Sequence, residues 1–149
     1  QLGVPLYTPR VFLRTRRGTI EIQLDVVEAP LTSASFVALV KRGFYDGLVF
    51  HRMEPGFVVQ GGDPRGDGNG GPGYTLRCEI TRRPYGRGSV GMALSGKDTG
   101  GSQFFITLSP QPQLDGGYTR FGHVVSGMEV VDRIRPGDVI EQAFAWTGD

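Results

Sequence analysis

Ile20, Ile22 and Leu24 alternate with Thr19, Glu21 and Gln23, the period of two expected of a strand with one face buried. Residues 11–15 and 19–25 form two such β-rich runs with Arg17-Gly18 between them, and together they predict a hairpin. Pro30 is a favourable first helical residue, Phe36, Leu39 and Val40 recur at helical spacing, and Gly43 can close the C-terminus. Residues 30–42 are therefore expected to be a helix with one apolar face. Short strands are expected at 48–51 and 57–60, on either side of the turn residues Glu54-Pro55-Gly56. Residues 61–73 hold seven Gly and two Pro in thirteen positions and predict an irregular loop. Further strands are expected at 89–93, 103–108, 119–125 and 139–146. Ser126 is placed to cap a short helix whose apolar stripe is Met128, Val131 and Ile134, ending near Pro136-Gly137. The pattern predicts a mainly β fold, a closed eight-stranded antiparallel β-barrel capped by two α-helices, because closure removes the edges that so many strands would expose.

Composition narrows this picture slightly. The length of 149 residues suits a single domain, and 24 Gly with 10 Pro agree with a turn-rich β architecture. Sixteen Lys plus Arg against fifteen Asp plus Glu give a net charge of +1, which provides no electrostatic reason to expect nucleic acid or an anionic membrane. Arg16-Arg17 and Arg82-Arg83 read as solvated turn charges. Cys78 stands alone, which excludes an internal disulfide and a thiolate metal cage; a half-buried strand position is expected for it. The compartment stays unread, with cytoplasmic and exported (periplasmic) locations both open. No apolar run is long enough to cross a bilayer, and the first ten residues lack the layout of a secretory signal, so a soluble segment is expected. The chain starts with Gln1 rather than Met, which leaves a removed signal, anchor or further domain open. Without heptads, a monomer is expected.

Several chemistries fail on inspection. Gly66-x-Gly68-x-x-Gly71 matches the dinucleotide-binding string, but Pro72-Gly73 follows where a helix should begin. Asp63, Asp67 and Asn69 have the alternating spacing of a calcium loop yet lack its terminal Glu, so no metal and no cofactor is expected. Arg65-Gly66-Asp67 is too short a string to carry weight. His51 and His123 are the available imidazole bases, both read as hydrogen-bonded structural histidines; Arg52 beside His51 would disfavour its protonation.

Two stretches remain, Phe50-His51-Arg52-x-x-Pro55-Gly56-Phe57-x-x-Gln60-Gly61-Gly62-Asp63 and Gly101-Ser102-Gln103-Phe104-Phe105-Ile106-Thr107, followed by Leu114-Asp115-Gly116 and Phe121-Gly122. In these segments, and in their order between residues 19 and 135, the chain resembles the cyclophilins. The resemblance implies a peptidyl-prolyl cis/trans isomerase acting on X-Pro bonds of peptides and of unfolded or flexible protein segments, with no cofactor; the alternative is a proline-peptide binding module with incidental turnover. It implies Arg52, Phe57, Gln60 and Phe105 as the catalytic set, with Gln60 fixing Arg52. Phe57, Val58, Phe105, Leu114 and Tyr118 would form the proline pocket, and Gln103 would act at the substrate. Ala93, Leu94 and Ser95 match the segment whose backbone pairs with the peptide before proline, and Gly68, Gly70 and Gly71 match a glycine-rich loop beside the site. The period of two independently puts Phe104 in the core and sends Gln103 and Phe105 to the opposite face.

The residue types suit this chemistry. Rotation about an X-Pro amide meets a barrier of about 20 kcal/mol, and no bond to carbon need break. Loss of resonance returns a lone pair to the prolyl nitrogen, which a permanently charged guanidinium can meet with a hydrogen bond. The chain departs from the family pattern at Gln113, where cyclosporin-sensitive members carry Trp, at Leu94, where many have Asn, and at Tyr118, often His. Isomerase activity is expected to survive these changes, and cyclosporin binding to be weak.

Overall fold

The computed structural model describes residues 8–79, 81–94 and 100–148. Its strands are β1 (Arg10–Thr15), β2 (Gly18–Leu24), β3 (Phe50–Glu54), β4 (Val58–Gly61), β5 (Ser89–Met92), β6 (Phe104–Thr107), β7 (Arg120–Ser126) and β8 (Gln142–Trp146). Among the described residues two α-helices, α1 (Pro30–Lys41) and α2 (Met128–Val131), and a 3-10 turn at Pro112–Leu114 complete the fold. All eight strands join one antiparallel sheet in the order β3-β4-β6-β5-β7-β2-β1-β8.

The expected closed barrel is not found; the sheet is a half-barrel that stays open between β3 and β8. The reason lies in residues 137–140, of which 139 and 140 are the expected start of the last strand. They meet the outer edge of β3 themselves: Phe50 N donates to Asp138 O at 2.8 Å, Gly137 N to Phe50 O at 2.8 Å and Ile140 N to Leu48 O at 2.8 Å, around a lone bridge between Val49 and Val139. β8 starts only at Gln142 and pairs with β1. Its other edge is partly occupied too, because Asp46 Oδ1 accepts the Ala143 N–H at 2.8 Å.

The inner face of the sheet carries the core: Leu13, Ile20, Ile22, Val59, Val90, Phe104 and Ile106 pack against Phe36 and Leu39 of α1. Phe36 is the hub, with ring centroids 5.1 Å from Tyr45 and Phe121 and 5.6 Å from Phe104. Helix α1 ends as expected. Gly43 takes φ 76 and donates to Val40 O while Phe44 donates to Leu39 O, each at 3.0 Å, which satisfies carbonyls the helix leaves unpaired. Its first turn carries no local cap; Glu79, from a distant connection, accepts the N–H groups of Leu31 and Thr32.

The second helix is one turn rather than the stretch expected up to Pro136. Ser126 cannot cap it, because it is the last residue of β7 and pairs with Glu21. Gly127 makes the break in a left-handed conformation, φ 90, where a side chain would be strained. Arg133 and Ile134 continue with tighter i→i+3 bonds to Val130 and Val131. Cys78 is half-buried as expected, but in irregular chain rather than a strand. Among the described residues no helix is long and apolar enough to cross a membrane.

Candidate active site

The register of β3 shifts between Phe50 and Arg52. This irregularity lets both Phe50 and Met53 turn towards the core and sends Arg52 and Glu54 to the outer face, the re-aiming a bulge provides. Arg52 then lies opposite Gln60 on β4, Gln60 opposite Phe105 on β6, and Phe105 opposite Gly91 on β5. One row across four strands thus aligns the guanidinium, the amide and the ring. Phe104 and Ile106 point inward to the main core while Phe105 joins a separate outer cluster with Val58, Tyr85 and Leu114.

Val58, Phe105 and Leu114 of this outer cluster line a cleft of about 140 Å³. Arg52, Phe57, Val58 and Gln60 line one side of it, and Phe105, Leu114 and Tyr118 another. Ala93 and Leu94 stand between this cleft and a neighbouring one of about 300 Å³, which Gln60, Gly68, Gly70, Gly71 and Gln103 help to line. Ser95 lies outside the described residues. Every other residue expected to contact the substrate therefore borders one of two adjoining clefts. Gln113 does not line the cleft; its amide donates to Gln111 Oε1 at 2.5 Å, and Gln111 in turn donates to Gly56 O at 3.1 Å.

Arg52 is held from two sides. Its Nη1 donates to Gln60 Oε1 at 3.1 Å, while Nε and Nη2 donate to Glu54 Oε1 at 3.2 and 2.6 Å. Its Cζ lies 5.8 Å from the centre of the Phe57 ring, within cation–π range. A guanidinium has five donors, so one N–H on each terminal nitrogen remains. Gln60 is itself oriented: its Nε2 donates to Gln103 Oε1 at 3.2 Å, and Gln103 Nε2 donates to Gly68 O and Gly70 O at 2.9 Å each.

The glycine-rich loop that accepts these bonds is pinned by Asp63, set aside above as a calcium ligand. Its buried carboxylate accepts the N–H groups of Arg65 and Asp67 at 2.8 Å and also that of Gly68. Burial pushes this carboxyl up, but the backbone donors of Arg65, Gly68, Asp67 and Gly70 outweigh it and hold it below the usual carboxylate range. No cluster of three or more metal-ligating side chains exists among the described residues. Each histidine lacks the expected hydrogen bond at one of its two ring nitrogens. Nδ1 of His51 and of His123 are buried without a hydrogen-bond partner. Burial lowers both imidazoles, more strongly than nearby carboxylates raise them, and Arg52 adds to the lowering at His51.

Tyr85 is the residue of this site that sequence reading missed. Its ring stacks on Phe105 with centroids 5.6 Å apart, its hydroxyl donates to Tyr118 O at 2.9 Å, and Asp115 Oδ1 accepts its N–H at 2.8 Å. Tyr118 meets Phe105 edge-on at 5.9 Å. The Pro84-Tyr85-Gly86 segment has no periodicity that could have announced this; the Asp115 of the Leu-Asp-Gly motif is the nearest signal. Beneath the stack lies Gly91, where a Cβ would collide with both the Phe105 ring and the Tyr85 hydroxyl. Gly91→Ala should displace Phe105 into the cleft, cost about 1–3 kcal/mol of stability and raise KM for proline peptides more than it changes kcat. Urea unfolding and steady-state kinetics of the variant check this.

Comparison with known proteins decides what this arrangement belongs to. The sequence model of the family described as cyclophilin type peptidyl-prolyl cis-trans isomerase/CLD matches residues 10–145. The chain belongs to the cyclophilin family. It is 51% identical over 133 residues to peptidyl-prolyl cis-trans isomerase B of Bacillus subtilis, covering 88% of this chain and 93% of that protein. It is 48% identical to a peptidyl-prolyl cis-trans isomerase of Helicobacter pylori, covering 87% and 82%. Among solved structures, a cyclophilin type isomerase of Cryptosporidium parvum superposes with a TM-score of 0.89 at 33% identity, covering 96% of this chain and 100% of that one. A second structure of that protein, determined in the presence of the dipeptide Ala-Pro, gives 0.86 at 32% identity, covering 93% and 99%. The chain is accordingly a cyclophilin-type peptidyl-prolyl cis-trans isomerase.

Proposed function

We propose that this cyclophilin isomerises X-Pro bonds in peptides and in flexible or unfolded protein segments, and so assists folding, with Arg52 stabilising the twisted amide. The observation that carries this reading is the pose of Arg52: a guanidinium anchored by Gln60 and Glu54 beside an apolar cleft, with an N–H left on each terminal nitrogen. A proline ring seated among Phe57, Val58, Phe105, Leu114 and Tyr118 would be fixed, so that rotation falls on the residue before it. As the amide leaves planarity its nitrogen gains a lone pair, and a hydrogen bond from Arg52 forms there and in neither planar state. Such differential binding lowers the barrier without a covalent intermediate. Lowering it by about 7 kcal/mol speeds the step roughly 10⁵-fold.

Gln60 and Gln103 serve as the relay that keeps Arg52 aimed. The backbone at Ala93 and Leu94 pairs with the residues before proline, which extend towards the neighbouring cleft at Gly68. Proline peptides are the substrate class, in keeping with the Ala-Pro dipeptide used with the Cryptosporidium relative. Exchange NMR on an Ala-Pro tetrapeptide tests the reading: enzyme in catalytic amount should bring cis and trans signals into exchange, and absence of exchange despite binding would instead mark a binding module.

Cyclosporin should bind weakly. Gln113 stands at the position where sensitive members carry Trp and turns towards Gln111, so neither an indole donor nor its large apolar face is offered to the ligand. Titration by isothermal calorimetry should give a dissociation constant well above nanomolar, and a nanomolar value would contradict the assignment.

A further inference from the structure

We infer that Glu54 is a positioning residue for the isomerisation, setting the angle at which Arg52 presents its free N–H groups to the bound amide; this rests on the reading of Arg52 given above.

Arg52 has a long stem and its side chain is 44% exposed, so packing alone does not fix its guanidinium. The bond from Nη1 to Gln60 supplies one anchor, about which the planar group could still swing. Glu54 Oε1 takes Nε and Nη2 together, on the opposite edge of the plane, and two anchors on opposite edges define an orientation. The Phe57 ring at 5.8 Å bounds the remaining side.

Glu54 is well placed to do this because its own backbone is fixed. It is the last residue of β3 and pairs with Val58, its carbonyl accepts Phe57 N at 3.0 Å, and the following Gly56 carbonyl accepts from Ser109 Oγ at 2.6 Å and from Gln111. A strand period of two sets positions 52 and 54 on one face, so the carboxylate reaches Arg52 without crossing the cleft. Glu54 does not line that cleft; it acts through Arg52. As a pair exposed to water it adds little to folding stability, which separates its role from a structural one.

The test compares wild type, Glu54→Val, Glu54→Gln and Arg52→Ala. Valine keeps a good strand former but removes the acceptor, whereas glutamine keeps an acceptor oxygen in the same place. Glu54→Val should lower kcat about three- to tenfold, the size expected when one rotamer-rich side chain is freed. Its KM should stay within about twofold and its thermal midpoint within about 2 °C. Glu54→Gln should restore most of kcat. The Nε–Hε signal of Arg52, assigned by its loss in Arg52→Ala, should shift and exchange faster with water in the valine variant but not in the glutamine variant. A valine variant with wild-type kcat, or one whose kcat falls while the Nε–Hε signal stays unchanged, overturns the inference. If Arg52→Ala is slow and Glu54→Val is not, only the role of Glu54 fails; if Arg52→Ala keeps the wild-type rate, the reading of Arg52 fails with it.

Discussion

Arg52→Ala should lower kcat/KM for an Ala-Pro peptide at least about a hundredfold, the usual loss when a donor aimed at developing electron density is removed. The same change should barely move the thermal midpoint. Arg52 and Glu54 have half-exposed side chains, and pairs of that kind are worth about 0–1 kcal/mol. Arg52→Lys should recover only part of the rate, because an ammonium keeps the charge but cannot reach Gln60, Glu54 and the prolyl nitrogen at once with a rigid fork. A protease-coupled assay with the three proteins checks the order wild type, lysine, alanine. An alanine variant within about threefold of wild type would remove Arg52 from the chemistry, since even one oriented donor is worth more than that.

Arg120→Ala should remove a large part of the folding stability. Arg120 and Asp25 have side chains only 10% and 5% exposed. Arg120 Nη1 is bonded to Asp25 Oδ2, and Arg120 Nε donates to Ser89 Oγ at 3.1 Å. Without Arg120 the Asp25 carboxylate would face Arg83 at 3.9 Å and the His123 ring at 3.7 Å, neither of which replaces a direct bond. Leaving one partner of a buried pair alone costs about 3–5 kcal/mol, which in a chain of this size lowers the midpoint by roughly 6–20 °C. Asp25→Leu combined with Arg120→Met should regain most of that, because removing both charges removes the desolvation penalty too. Thermal and urea unfolding of the single and double variants check this; a single variant losing less than about 1 kcal/mol would mean that water or Arg83 rescues Asp25.

What the sequence made legible was local. The alternation at Ile20, Ile22 and Leu24 places β2 within a residue of its observed ends, and Pro30 with Gly43 brackets α1. The two motif segments supplied Arg52, Gln60 and Phe105, which the sheet register then aligns in one row. Period two also placed Phe104 inside and Phe105 outside correctly.

The misreadings share a physical cause: each depends on contacts between distant parts of the chain. Whether an eight-stranded sheet closes is decided by which segment reaches the edge of β3, and residues 137–140 arrive there before β8 does. Ser126 reads as a helix cap only until its pairing with Glu21 on β2 is known. Tyr85 and Glu54 are ordinary in sequence and gain meaning from a stacked ring and a neighbouring guanidinium.

The most direct measurement is exchange NMR at saturating peptide, which separates the affinities of the cis and trans forms from their interconversion on the enzyme. If Arg52 acts on the twisted state, Arg52→Ala leaves both dissociation constants within about fivefold of wild type and slows the bound forms equally in each direction, by at least about a hundredfold. Unchanged interconversion on the enzyme, with the lost activity appearing wholly as weaker binding, would contradict it.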